Sequence, residues 1–297
     1  QIGPPIQACG DASLNDLLKA SESSIMGNTS PTQEMHIALH DLWSKTLAVP
    51  TYQLLGARRR VLDTDMTISV DDPAIMAEDA LAAVRENYRC LKLKVGQNAE
   101  LDLERLKAVR DAVGDDIQIR IDANQGWSPS EAVRSLNRME EEGIAIEFCE
   151  QPTKACDLEG LKYVKERTNF PIMADESVHS SADASKILEI AAADLINIKL
   201  MKCGGLREAG RICTLARCHG VECMIGCMLE AKVAASAALH LALSQDVITK
   251  VDLDGPLLFA DDPIRGGARF LGPGIDPGEG PGFGVEAVPG LEGLASL

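Results

Sequence analysis

The stretch CLKLKVG, Cys90 to Gly96, alternates Leu91, Leu93 and Val95 with Lys92 and Lys94. Alternate residues of a strand share a face, so the two ammonium groups point the same way. Other reactive side chains close comparable apolar runs. They are Asp122 in IQIRID with Asn124 just beyond, Glu150 in IAIEFCE, Asp175 in PIMAD, Lys199 in LINIKL, and the pair Asp252 and Asp254 in VITKVDLD. Three converging carboxylates offer hard oxygen donors, which select Mg2+ or Mn2+ over zinc. Left without cations they would repel one another. A partly desolvated lysine beside other cations has a lowered pKa and can serve as a base, a use that fits Lys92 next to Lys94. The plainer alternative is a structural network in which each carboxylate pairs with a lysine, or lysines that simply face water.

Positioning these groups is a matter of repeated strand and helix units. Eight apolar runs qualify as strands, at 65–70, 90–95, 117–122, 144–150, 171–175, 195–200, 222–226 and 247–254. Their polar ends recur at steps of 24 to 28 residues, at Lys94, Asp122, Glu150, Asp175, Lys199, Gly226 and Asp252. Helical patterns lie between them, for example 73–87, 128–142 and 180–192, with Ser128 and Ser180 as N-caps. Eight near-equal units predict an α/β fold of the (β/α)8 type, a closed parallel barrel; a doubly wound sheet is the alternative. Active sites of barrels sit at the C-terminal strand ends, where the reactive residues fall. Lys94 and Lys199, on the second and sixth strands, are then expected on opposite sides of the barrel mouth.

The expected organisation is a helical piece over 1–60, the barrel over 61–255 and a tail over 256–297. The first part opens on the loop-like GPPIQACGDAS and reads as two helices, 13–25 and 32–49, ended by Pro50. The Gly- and Pro-rich tail is expected to pack back on the barrel or the helical piece with little regular structure.

The 297 residues are 45% hydrophobic, enough for a large core. A net charge of −16 argues against nucleic-acid and anionic-membrane partners. No run approaches the apolar length of a transmembrane helix, and no leader pattern opens the sequence. Nine cysteines in apolar context read as reduced thiols of a cytoplasmic protein. Cys218, His219, Cys223 and Cys227 allow a zinc site, and His36 with His40 a metal pair, but packing roles suit both better.

Taken together, KLKVG, RIDANQGW, CEQP, MADES, NIKLMKCGG and GCMLE resemble the enolase superfamily, muconate-lactonizing subgroup, over nearly all of residues 31–290. The resemblance implies that Asp122, Glu150 and Asp175 bind one Mg2+, with Mn2+ a possible substitute. It implies that Lys94 and Lys199 move an α-proton on opposite faces of a substrate carbon, and that Lys92 supports Lys94 and the enolate. The D-x-D of Asp252 and Asp254 is similar to that of the dipeptide epimerases, where the two carboxylates hold the α-ammonium of the dipeptide. Two anions there suit a cationic group and repel an anionic tail; the alternative is that they cap loops or pair with arginines such as Arg265. The implied substrate is an L,L-dipeptide, Ala-Glu first, epimerised at its C-terminal residue in murein peptide metabolism. Thr67 would bond the substrate carboxylate, and Gly226 to Glu230, with Cys227 and Met228, would line the side-chain pocket. A homo-oligomer is expected.

The family begins with a three-stranded meander and a mobile loop that reads the substrate side chain. This sequence opens on what resembles the linker after them, so the expectation is a chain lacking the N-terminal capping strands. Three competing readings remain: an N-acylamino acid racemase, o-succinylbenzoate synthase or other subgroup enzyme, an inactive metal-binding fragment, and a Schiff-base aldolase using Lys199. The aldolase leaves the three carboxylates without a role.

Overall fold

The computed structural model describes residues 12–24 and 27–289. A short strand, β1 (Leu62–Asp63), precedes the main sheet. That sheet has eight strands in unbroken chain order: β2 (Met66–Ile68), β3 (Cys90–Lys94), β4 (Gln118–Asp122), β5 (Cys149–Glu150), β6 (Ile172–Ala174), β7 (Leu195–Lys199), β8 (Glu222–Gly226) and β9 (Ile248–Asp252). The pairings from β2 through β7 are parallel. Parallel neighbours need crossover connections, here the helices α4 (Pro73–Arg85), α5 (Ala99–Val113), α6 (Pro129–Glu141), α7 (Leu158–Lys165) and α8 (Ser181–Glu189). A four-residue turn α9 (Leu200–Cys203) and α10 (Leu206–His219) follow β7, and α11 (Lys232–Ser244) follows β8. This is the expected (β/α)8-type barrel.

Local chemistry starts the helices where the sequence predicts. Ser128 caps α6 in a capping box with Glu131, with Pro129 in the first turn, and Ser180 accepts from the Asp183 amide at the start of α8. Most strands are shorter than their apolar runs, the fourth most of all. In the fourth run only Cys149 and Glu150 join the ladder, while Ile144, Ile146 and Phe148 are buried just before it. The run stays attached through single backbone bonds, Glu147 N–H to Ile119 O and Ile121 N–H to Phe148 O. Asp175 and Asp254 stand just beyond β6 and β9, and Thr67 is mid-strand in β2.

The chain divides into two compact units. One comprises Thr64–Asn197 and Leu215–Met224. Its core includes Phe148, Met173, Leu195 and Met224. Among them lies buried Arg120, bonded to Asp65 Oδ2 at 2.7 Å and Glu147 Oε2 at 2.6 Å, with its guanidinium 5.3 Å from the Phe148 ring centroid. A buried guanidinium is tolerable only when paired in this way.

The other unit gathers the chain up to Asp63, Ile198–Thr214 and the chain from Ile225 on. It contains α1 (Leu14–Ser24), α2 (Thr29–Thr46) and α3 (Thr51–Leu54). The second helix starts at Thr29, earlier than predicted, because Pro31 falls in its first turn, where a missing N–H costs nothing. Pro50 introduces α3 instead of ending a longer helix. His36 and His40 are core residues of α2. The expected opening loop lies largely outside the described residues.

The tail is more regular than expected. The strands β10 (Arg265–Gly266), β11 (Arg269–Leu271), β12 (Gly274–Asp276) and β13 (Val285–Ala287) pair antiparallel, β10 with β13, and β11 and β1 with β12. Its glycines serve as turn residues: Gly272 takes a φ of 66° in the two-residue hairpin between β11 and β12. The tail bonds back to the helices through Thr51 N–H to Gly282 O and Phe283 N–H to Asp41 Oδ1, both 2.8 Å.

Candidate active site

In the first unit the strand register assembles the charged residues. Lys92 lies opposite Arg120, Lys94 opposite Asp122, and Asp122 opposite Glu150. Asp122 and Glu150 are wholly buried, Asp175 and Lys92 are 1% and 2% exposed, and Lys94 is half-buried. Lys92 Nζ stands 3.2 Å from Asp122 Oδ2 and 2.8 Å from Glu150 Oε2. Lys94 Nζ donates to the same Asp122 oxygen at 2.7 Å and to Asn124 Oδ1 at 3.0 Å. The Asn124 amide donates to the other Asp122 oxygen at 2.9 Å. On Glu150, Oε1 accepts from Asn197 Nδ2 at 2.7 Å.

Burial pushes the Asp122 carboxyl upward, but Lys92 and Lys94 outweigh it and hold the group below its ordinary range, against repulsion from Asp175. Asp122 is therefore an anion beside two ammonium groups and a second anion. The loops that carry these residues are bent: Asn124, Gln125 and Gln151 have φ of 43°, 66° and 35°. Left-handed backbone at non-glycine residues costs energy and clusters where geometry serves a site. At Gly96, just past Lys94, φ is 98° and a Cβ would lie 2.2 Å from the Ala123 carbonyl oxygen, so only glycine lets the two strand-end loops meet.

As they stand, no three His, Cys, Asp or Glu side chains among the described residues form a coordination sphere. Asp122 and Glu150 are turned onto the lysines instead. The donor set nonetheless fits a small hard cation: three buried carboxylates at adjacent strand ends, with Asp175 near enough to repel Asp122.

Thr67 lies opposite Lys92 in register and is half-buried.

In the second unit Lys199 ends β7 and is 6% exposed. Asp252, at the end of β9, and Asp254 are each 3% exposed. Cys227 is half-buried and Met228 38% exposed. Burial raises the Cys227 thiol well above its ordinary range, and the charges of Asp252, Asp254 and Glu230 raise it further. The D-x-D pair and the loop after β8 thus share one neighbourhood, with an unreactive thiol among three acids. Glu230 shapes this loop, accepting from Met228 N–H at 2.9 Å and Gln33 Nε2 at 2.8 Å. Gly255 packs against it, since a Cβ there would lie 2.7 Å from the Met228 carbonyl oxygen.

Sequence reasoning missed Asn197 and Gln151. Asn197 was legible, because it stands two residues before Lys199 on one strand and so shares its face. Gln151 was not, since its contacts depend on the bend after Glu150.

A parallel barrel with buried carboxylates and lysines at its strand ends defines a class of enzyme. Residues 75–290 match the family described as Enolase C-terminal domain-like. The L-Ala-D/L-Glu epimerase of Clostridium acetobutylicum is 50% identical over 267 residues, which are 90% of this chain and 75% of that protein. The N-succinyl-L-Arg/Lys racemase of Bacillus cereus is 39% identical over 89% of this chain and 71% of its own length. The crystal structure of the dipeptide epimerase of Enterococcus faecalis V583, complexed with Mg and the dipeptide L-Leu-L-Tyr, superposes with a TM-score of 0.90 at 38% identity, covering 96% of this chain and 83% of that one. The chain belongs to the enolase superfamily, among its dipeptide epimerases, and is an isomerase.

Proposed function

We propose that this chain converts L,L-dipeptides to L,D-dipeptides by 1,1-proton transfer at the C-terminal residue, with L-Ala-L-Glu the first substrate to try. The observation that carries the proposal is the buried array of Asp122, Glu150 and Asp175 with Lys92 and Lys94 against it. Asp122, Glu150 and Asp175 are the residues to hold one Mg2+, or Mn2+ in its place. Bound there, the metal supplies positive charge that favours the enolate form of the substrate carboxylate.

The protein's own groups do the rest. Lys94 and Lys199 are the two acid–base groups, one removing the α-proton while the other delivers its replacement. Lys92, buried against Asp122 and Glu150, adds fixed positive charge for the enolate. Asp252 and Asp254 hold the substrate ammonium, while Thr67, Cys227 and Met228 contact the rest of the dipeptide. Residues 1–60 and 256–297 are read as a partial capping region to the barrel of 61–255. A role in murein peptide metabolism, a cytoplasmic setting and a homo-oligomer complete the proposal. No helix among the described residues is long and apolar enough to cross a membrane.

The nearest competing reading is an N-acylamino acid racemase, favoured by the likeness to the N-succinyl-L-Arg/Lys racemase. A panel of L,L-dipeptides and their N-succinyl and N-acetyl counterparts, resolved by chiral chromatography with Mg2+ or EDTA, tests both. The proposal expects L,D product from free-amine dipeptides alone, lost with EDTA. Turnover of only the N-acylated substrates contradicts it.

A further inference from the structure

Gln151 follows Glu150, is fully buried, and has no role in the chemistry above. Its side chain makes four hydrogen bonds. Nε2 donates to Thr153 O at 3.0 Å and Ser177 Oγ at 2.8 Å. Oε1 accepts from the backbone N–H of Asp175 at 2.8 Å and of Ser177 at 3.1 Å. Two donors and two acceptor sites are the whole capacity of a glutamine amide, and the partners settle which end is oxygen. The backbone of the same residue donates to Met173 O at 2.9 Å and accepts from Gln125 N–H at 2.8 Å. One residue therefore ties together the chain just after β4, β5 and β6, beside Asp122, Glu150 and Asp175.

Its backbone φ is 35°, in the left-handed region. Buried polar groups cost free energy unless satisfied, so a fully satisfied amide has one low-energy orientation. The Asp175 amide held by Gln151 belongs to the residue whose carboxylate repels Asp122. A fixed backbone there keeps two like charges adjacent without letting the loop relax away.

We infer that Gln151 is a positioning residue, which holds Asp175 and Glu150 in the spacing a divalent cation needs. The inference rests on the assignment of Asp122, Glu150 and Asp175 as metal ligands. A residue that only stitched loops together would affect stability and leave metal affinity alone.

Mn2+ titration of the metal-stripped full chain at one pH, followed by the free-ion electron paramagnetic resonance signal, separates the two roles. Gln151→Met is compared with Ser177→Ala, which removes one partner of the amide, and with Val164→Ala, a core truncation in α7 that removes none of the amide's hydrogen-bond partners. Hydrogen exchange of peptides spanning 172–178 is measured on the same metal-free proteins. Expected are an approximately ten- to hundredfold weaker Mn2+ affinity in Gln151→Met, a loss of a few fold in Ser177→Ala, and no change in Val164→Ala. Exchange at Asp175 and Ser177 should quicken in the first two only. Mn2+ affinity of Gln151→Met within twofold of wild type would overturn the inference. Should that variant not fold, wild-type affinity in Ser177→Ala would do the same. No uptake of Mn2+ by the wild-type protein would overturn the metal site and the positioning role together, an outcome distinct from uptake shared equally by all variants.

Discussion

Both units bury carboxylates at strand ends, and they surround them differently. In the unit of Thr64–Asn197 and Leu215–Met224, Asp122 and Glu150 stand within 2.7–3.2 Å of Lys92 or Lys94, and Asp122 is held ionised. In the other unit, burial raises the Cys227 thiol well above its ordinary range, and Asp252, Asp254 and Glu230 around it raise it further. The first neighbourhood mixes fixed charges of both signs, which suits a cation together with an anionic group. The second is acidic, which suits a cationic end of a substrate.

The sharpest way to break this contrast is to remove charge from the first neighbourhood. Asp122→Asn deletes the anion shared by Lys92 and Lys94, and turnover should fall by about three orders of magnitude or more. Steady-state epimerisation with saturating Mg2+ measures it, and a loss under tenfold would mean Asp122 is structural. In the second neighbourhood, Asp254→Asn should act on binding: KM for a free-amine dipeptide rises about tenfold or more with kcat little changed. A fall in kcat with KM constant would place Asp254 in the chemistry.

Acid should act on the second unit through its buried histidines. Burial lowers His36 to about 4 and His240 to about 3, with Glu22 opposing it at His36 and Arg207 adding to it. Both stay neutral in the folded chain while the unfolded chain protonates near pH 6.5, so stability is complete above that pH and is lost as pH falls toward 4 for His36 and toward 3 for His240. The slope is at most roughly 1.4 kcal/mol per histidine per pH unit. Urea unfolding at pH 7 and pH 5 reads it, and His36→Leu should flatten the dependence. The smallest effect belongs to the first unit's outer surface. Ser128→Ala removes the cap of α6 and should cost about 1 kcal/mol by the same unfolding assay, with turnover unchanged.

The fold was legible because strand and helix periodicity is a local property. Leu91 and Leu93 buried around Lys92 follow from alternation alone. Ser128 and Ser180 were readable because a cap and its helix are neighbours in sequence. The pairing of β1 with β12 was not, since Leu62 opposite Ile275 joins distant residues and no local pattern announces it. Lys92 and Asp122 could be listed from spacing, but their ion pair could not, because register between strands decides it. The regularity of the tail was hidden by its glycines, which signal loops in general and here mark hairpin turns such as Gly272.

Lys94 and Lys199 are proposed as the two acid–base lysines. The most direct test of this assignment is α-proton exchange in D2O, followed by NMR on L-Ala-L-Glu and L-Ala-D-Glu with Mg2+ present. Wild type should exchange the C-terminal α-proton of both epimers, while Lys94→Ala and Lys199→Ala each lose exchange of one epimer, and not the same one. Loss of the same epimer in both variants, or full exchange of both epimers in either, would contradict the account.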